Sequence, residues 1–463
     1  MRGKEYTVAI IGGGPAAIFA AYEFTCKYPK VKVVIIEEGH RIEKRSCPMI
    51  EGKANHCLRC VPCNIMRGFG GAGAFSDGKY NFTTEFGGWL NDYIPEKTVC
   101  ELIDYVDAIN CRHGAPGTTF TTKNCTIGKR ALGFDLHLLN AKVRHLGTEN
   151  NLKIMENIYK HLLEHNVTIL CDTHIENIQK IKENFILKTS SQKNIICSYL
   201  IAAPGRAGAE WFTEQCELLG LPFSNNQVDV GVRVEVPAQV FQHITDEVYE
   251  AKLVYRTKQY GDLVRTFCMN PNGYVVAENT DGIVTVNGHS FSDPKKNSGN
   301  TNFALLVSNR FTEPFKEPHK YGKHIASLSN MLGGGVLVQR FGDLIKGRRT
   351  NEHRMQKSFL KPTLSAIPGD LSLVLPKRHL DNIIEMIYAL DKVAPGTAND
   401  DTLLYGVEVK FYSSRIELDN KLETKLANLF AVGDGAGITR GLSQASASGV
   451  YVARIIGERL TGN

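Results

Sequence analysis

The chain begins its first regular structure with Tyr6-Thr-Val-Ala-Ile-Ile11-Gly12-Gly13-Gly14-Pro15-Ala16-Ala17. A helical stretch follows to about Thr25, and a second apolar run, Val31 to Ile36, ends at Glu37-Glu38-Gly39. This order is β-α-β. In Gly12-x-Gly14-x-x-Ala17 the first glycine permits a tight turn, the second lets a pyrophosphate approach the backbone, and the small Ala17 lets helix and strand pack closely. Pro15 and Ala16 open the helix, whose N-terminus offers free N–H groups and the positive end of its dipole to phosphates. Glu37, twenty residues past Ala17 with Glu38 beside it, stands where a carboxylate accepts hydrogen bonds from ribose hydroxyls. An acidic rather than basic residue there favours an unphosphorylated ribose. A glycine turn without a ligand is the plain alternative, but strand, helix and distant carboxylate together meet the context of a dinucleotide site.

Near the other end, Leu429-Phe-Ala-Val-Gly433-Asp434-Gly-Ala-Gly-Ile-Thr-Arg440-Gly-Leu442-Ser443-Gln444 precedes a terminal helix of about Leu442 to Leu460. This stretch resembles the C-terminal flavin motif of the glutathione-reductase-like flavoprotein superfamily. The resemblance implies FAD rather than NAD. By it, Asp434 would hold a ribityl hydroxyl, and the amides near Leu442 and Ser443 would stabilise negative charge at the N1–C2 carbonyl edge of reduced flavin. An aspartate that caps a helix has the same local chemistry and is the alternative.

Between the two motifs, Gly68-Phe-Gly70-Gly71-Ala72-Gly-Ala-Phe-Ser76-Asp77-Gly-Lys79 carries five glycines, which let the backbone pass close to a flat ligand, while Ser76, Asp77 and Lys79 bring hydrogen bonds and charge. The buried strand ending at Leu200-Ile-Ala-Ala-Pro-Gly205 adds a further tight turn. This loop, its Cys-rich lead-in and the stretch Tyr405-Gly-Val-Glu-Val-Lys-Phe-Tyr-Ser-Ser-Arg415 resemble the uncharacterised FAD-dependent dehydrogenases along the whole chain. That resemblance implies fold and cofactor but no substrate.

The fold class expected is α/β: an FAD-binding, Rossmann-type domain over 1–225 and 400–463, with a Cys-rich loop at 41–88, and an α+β substrate domain inserted at 226–399. Helices are expected over Trp89 to Asn110 and, with breaks, over Leu136 to His165. Against 48 acidic residues the chain sets 54 basic ones, spread along its length, a mild excess suited to an anionic cofactor and poor evidence for nucleic acid. No run approaches the ~18 apolar residues of a membrane span. A cytoplasmic protein with no signal peptide is the expectation.

Four of the twelve cysteines, Cys47, Cys57, Cys60 and Cys63, fall within seventeen residues. The spacing Cys57-x2-Cys60-x2-Cys63 resembles the ligand run of small [4Fe-4S] ferredoxins, although the fourth cysteine precedes the run. A structural zinc knot and a redox disulfide use the same thiols.

The functional expectation is an FAD-dependent oxidoreductase that moves a hydride or electrons between flavin and a small organic substrate in a pocket under the inserted domain. Lys79, Asp77, Arg440 and Arg415 are the candidates for orienting that substrate, and each alone reads as an ordinary structural charge. Gly333-Gly334-Gly335 lacks a flanking strand and a later acidic residue, so no second nucleotide domain is expected; electrons would pass through transient NAD(P)H or a protein donor. A flavin-dependent RNA-modifying enzyme is weighed against this, with Lys346-Gly-Arg348-Arg349 as its basic candidate, and so is an electron carrier without its own substrate.

Overall fold

The computed structural model describes residues 4–48, 51–53, 58, 60–123, 125–191, 193–280, 282–291, 293–309, 311, 315 and 317–462. The chain divides into two units, one built from 1–119, 143–226 and 412–463, the other from 120–142 and 227–411.

The first unit is built on a seven-stranded sheet whose strands are β1 (Lys4–Ile11), β2 (Val33–Ile36), β3 (Thr168–Leu170), β4 (Ile175–Ile181), β5 (Asn184–Thr189), β6 (Asn194–Ala202) and β7 (Leu429–Ala431). Its parallel part runs β3-β2-β1-β6-β7. The strands β4 and β5 add an antiparallel hairpin along the first half of β6. Central strands of such a sheet are covered on both faces, which is why Val8 to Ile10 and Val34 to Ile36 read as unbroken apolar runs and are 0–1% exposed. The helix Pro15–Lys27 follows β1 directly and packs against the C-terminal helix Leu442–Thr461. Gly449 makes that approach possible, because any side chain there would collide with the carbonyl of Ala16. The sheet order reverses between β1 and β6, so the crevice beyond their carboxyl ends is where an open α/β sheet takes its ligand.

The second unit centres on an eight-stranded sheet in which Val228–Pro237, Asn300–Asn309, Leu263–Asn270 and Leu403–Phe411 are neighbours. Along Val228–Pro237 the pattern alternates strictly: Val228, Val230, Val232, Val234 and Val236 enter an apolar core that includes residues of the helices Ala238–Val248 and Lys377–Val393. Asp229, Gly231, Arg233 and Glu235 therefore share the opposite face.

Three sequence expectations differ from this picture. The helix expected from Trp89 begins only at Glu96, after a single 3-10 turn at Leu90–Asp92, because Pro95 constrains the residue before it and serves as the N-cap. Within 136–165 the chain forms two short strands, Leu136–Leu138 and Lys142–His145, before the helix Thr148–Glu164 starts behind Gly147, whose φ of 78° excludes a continuous helix. The second unit also extends beyond 226–399: residues 120–142 join it, and Leu403–Phe411 is one of its central strands. Gly334 (φ 66°) is the C-cap of the helix Pro318–Gly333, a structural use of that glycine run. Among the described residues no helix is long and apolar enough to cross a membrane.

Candidate functional site: a dinucleotide cradle in the first unit

The carboxyl ends of β1, β6 and β7 are tied side by side, with the Ala203 amide donating to Ile11 O (2.8 Å) and the Val432 amide to Ala202 O (2.9 Å). Each strand runs straight into a glycine-bearing turn. Gly12, at φ 100°, lies so close to the Ala203 carbonyl that no side chain fits. Gly14 is different: a methyl group on it would meet no atom within 4 Å, so the backbone there faces open space. Pro15 follows as the first helical residue, no side chain caps the helix, and the amides of Ala16 and Ala17 find no acceptor among the described residues. Buried donors of this kind, at the positive end of a helix dipole, are what a phosphate group satisfies.

The glycine loop packs on this turn. The Gly70 amide donates to Gly13 O (2.8 Å), and a methyl group on Gly71 would stand 3.0 Å from the Gly14 Cα. Gly73 lies between the Pro15 ring and Leu442, and the 3-10 turn Ala72–Phe75 carries Ala72 alongside. Ser76 is not displayed to a ligand, since its hydroxyl donates to Gly73 O (2.7 Å) and accepts from the Gly78 amide (3.2 Å). Two residues that sequence reading missed hold the loop in place. Asn151, 1% exposed, donates to the carbonyls of Gly73 and Ala74. Arg45 donates to the carbonyls of Asn64, Ile65 and Phe69 and stacks on Phe75; burial pushes its pKa down to about 10, with the Glu37 carboxylate opposing the shift.

Glu37 is buried and accepts three backbone amides: Gly13 on Oε2 (2.6 Å), and Gly39 and Gly68 on Oε1 (2.8 Å each). A carboxylate offers about four acceptor directions, so one remains open. The residue thus joins three loops. Glu38 instead pairs with Arg67 (2.5 Å) and His174 (3.5 Å) toward solvent.

At the end of β7, Gly433 is anchored by the Ser448 hydroxyl (3.1 Å), and Asp434 accepts on Oδ1 from the Thr439 hydroxyl (2.7 Å) and the Gly441 amide (3.2 Å). The N-cap of the C-terminal helix is Gly441, and the amides of Leu442, Ser443 and Gln444 have no acceptor among the described residues. Asp434 therefore braces the turn without capping those amides, and its Oδ2 accepts no hydrogen bond among the described residues. Ser443 is 5% exposed and its hydroxyl has no partner among the described residues. Gly205 (φ 63°) lies against Gly435, which brings the β6 turn to the same place.

The four polar candidates separate into two groups. Lys79 and Asp77 form an ion pair (3.1 Å), and His145, unnoticed in the sequence, lies 3.9 Å from the same carboxylate because it pairs in register with Lys79. Arg415 donates to the Tyr93 hydroxyl (2.9 Å) and Asp92 (2.7 Å), while Arg440 lies over the Tyr412 ring at 4.6 Å. Both thus belong to an aromatic cluster that includes Trp89. Gln444 clamps that segment to the C-terminal helix by bonding the Leu90 amide and Phe86 O. Of the basic run weighed for RNA, Lys346 and Arg348 are paired with Asp400 (2.7 Å) and Asp343 (2.8 Å).

The cysteine cluster is only partly within view. Cys57 lies outside the described residues; Cys47, Cys60 and Cys63 are free thiols. Among the described residues no group of three or more His, Cys, Asp or Glu side chains is placed to hold a metal, so the iron–sulfur expectation has no support from this geometry.

Residues 227–411 match a family described as FAD-dependent protein, C-terminal domain-like. An uncharacterized protein of Clostridium beijerinckii is 27% identical, the match covering 97% of this chain and 80% of that one. Among solved structures, the chain is similar to glycine oxidase from Geobacillus kaustophilus (11% identity, TM-score 0.43, covering 98% and 95% of the two chains). It is also similar to L-proline dehydrogenase from P. horikoshii (11% identity, TM-score 0.45, 100% and 94%). The fold is mixed α/β, and the match of residues 227–411 to a family of FAD-dependent proteins supports FAD as the cofactor.

Proposed function

We propose that the chain is an FAD-dependent oxidoreductase acting on a small organic substrate. The observation that carries this reading is the convergence of unsatisfied donors at one place in the first unit: the amides of Ala16 and Ala17 beside the open Gly14, and the Leu442–Gln444 amides with the buried, unpartnered Ser443 hydroxyl beyond Asp434. Buried donors without acceptors are costly, at about 1–3 kcal/mol each, and two uncapped helix ends facing one crevice fit a ligand with a pyrophosphate near one and a ring that gains negative charge on reduction near the other. FAD supplies there a reversible acceptor of two electrons and a proton. Gly12 to Ala17 would hold the pyrophosphate, Glu37 a ribose hydroxyl and Asp434 a ribityl hydroxyl. The Leu442–Gln444 amides are fixed donors for developing negative charge and need no rearrangement to act. The motif at 429–444 supports a finer placement near the glutathione-reductase-like flavoproteins. Electron delivery by transient NAD(P)H or a partner protein belongs to the same reading, and the cysteine run has no assigned step in it.

The test is anaerobic. Flavin in the purified protein is exposed to a panel of small acids, amines and alcohols and to NADH and NADPH, and bleaching is followed. Bleaching by a panel compound, with colour restored in air, is the expected result. A flavin that no compound and neither nicotinamide bleaches would instead favour an electron carrier.

A further inference from the structure

A cavity of about 510 Å³ opens within the second unit, between the loop after the helix Thr126–Leu132, the strand Leu253–Arg256 and the helix Lys377–Val393. Its volume suits a small organic molecule. One wall is a single face of the helix Lys377–Val393, where Glu385, Tyr388, Ala389 and Lys392 stand at i, i+3, i+4 and i+7. A carboxylate thus marks one end of the wall and an ammonium the other, with about 10.5 Å of helix rise between them. The small Ala389 makes a dip midway. Tyr388 and, from the loop, Phe134 line the same cavity and remain 47% and 37% exposed.

The four charges divide into a closed pair and an open pair. Asp135 and Lys258 answer each other at 3.6 Å. Glu385 Oε1 accepts the Tyr255 hydroxyl (2.9 Å) and the Lys258 amide (2.5 Å). Its Oε2 has, among the described residues, only the Gln259 amide at 3.5 Å, too long for a strong bond. Tyr255 is 4% exposed, and burial, with the Glu385 carboxylate beside it, pushes its pKa up to about 12, so the hydroxyl remains a donor that fixes the carboxylate. Lys392 is exposed, lies 5.9 Å from the centre of the Phe134 ring and has no carboxylate within ion-pair distance among the described residues. One unanswered charge of each sign therefore lines the cavity, the two set apart along a partly apolar wall.

We propose that this cavity binds an ω-amino acid, a molecule whose ammonium and carboxylate stand at opposite ends of an apolar middle. The ammonium meets Glu385 Oε2, the carboxylate meets Lys392, and the middle lies over Ala389 against the Tyr388 and Phe134 rings. An α-amino acid does not fit the spacing, since its two charges share one carbon and cannot serve both ends of the wall. A molecule with a single charge leaves the group at the other end without a partner. The site lies in the second unit alone and stands independently of the cofactor reading.

The experiment uses the full chain as purified and titrates 4-(aminomethyl)benzoate by calorimetry, with 4-methylbenzoate and benzylamine as single-ended analogues and L-phenylalanine as the spacing control. The zwitterion is expected to bind about tenfold or more tightly than any of the three, as a charged hydrogen bond at each end implies. Lys392→Gln should remove its advantage over benzylamine, and Glu385→Gln its advantage over 4-methylbenzoate. A merely structural role would weaken all four ligands together. Glu385 also braces the turn at Lys258 and Gln259, so both variants are checked for wild-type thermal melting; should Glu385→Gln melt early, Lys392→Gln decides. No heat with 4-(aminomethyl)benzoate, equal affinity for it and its single-ended analogues, tighter binding of L-phenylalanine, or survival of the preference over benzylamine in Lys392→Gln would each overturn the assignment.

Discussion

Asp434 spends one carboxylate oxygen on Thr439 and Gly441 and keeps the other open, so its removal should affect the cofactor more than the fold. A hydrogen bond to a carboxylate is worth about 1.5–3 kcal/mol, and Asp434→Ala should weaken FAD roughly ten- to a hundredfold in an apoprotein titration followed by flavin fluorescence. Unchanged affinity would reduce Asp434 to a brace of its turn. Glu37→Ala should do more, because it releases three backbone amides as well as the ribose contact proposed for it; flavin occupancy and thermal stability should fall together. His379 gives a pH signature. It is 4% exposed, and burial pushes its pKa down to about 4, with Asn309 bonded to its ring. A buried imidazole held neutral contributes stability that is complete above its ordinary pKa near 6.5 and is lost as pH falls toward 4, by about 3 kcal/mol at most. Denaturant midpoints from pH 7 to pH 4 should therefore fall more steeply for the wild type than for His379→Leu. Parallel slopes would show the imidazole to be solvated. At this scale Gly12, Glu37 and Asp434 were legible because motif spacing is local. Arg45, Asn151 and His145 were not, because each acts on backbone or side chains brought near only by folding.

Among the elements, the two helices that face the cradle depend on their contact with each other. Gly449 lies against the Ala16 carbonyl without room for a methyl group, so Gly449→Ala should force the helices apart and cost about 1–3 kcal/mol. Because Ala16 belongs to the first cradle turn, flavin occupancy should drop with it, and a variant that melts normally with full flavin would show the packing to be looser than described. The β-α-β opening and the final strand and helix were readable from apolar runs bounded by glycine. The segment 136–165 was misread because its short strands carry few residues each and their alternation passes for a broken helical pattern; only the positive φ of Gly147 separates them from the helix that follows. The start of the helix at Glu96 was signalled by Pro95, whose restriction on the preceding residue is a sequence-level cue.

For the whole molecule, the division into two units follows from separate cores, the main ones lying on the parallel sheet and on the valine face of the second sheet. The insertion was legible in outline, while its edges were not, since the strand Leu403–Phe411 and residues 120–142 declare their allegiance only by pairing and packing with distant strands. The central claim, that the crevice beyond β1, β6 and β7 is built for FAD, is tested most directly by the cofactor content of the purified chain. Acid-released flavin should be intact FAD in stoichiometric amount, with the bound form showing flavin absorption bands, and Gly14→Val should lower the content without unfolding the second unit. A correctly folded, colourless protein that takes up no FAD on reconstitution would contradict the account.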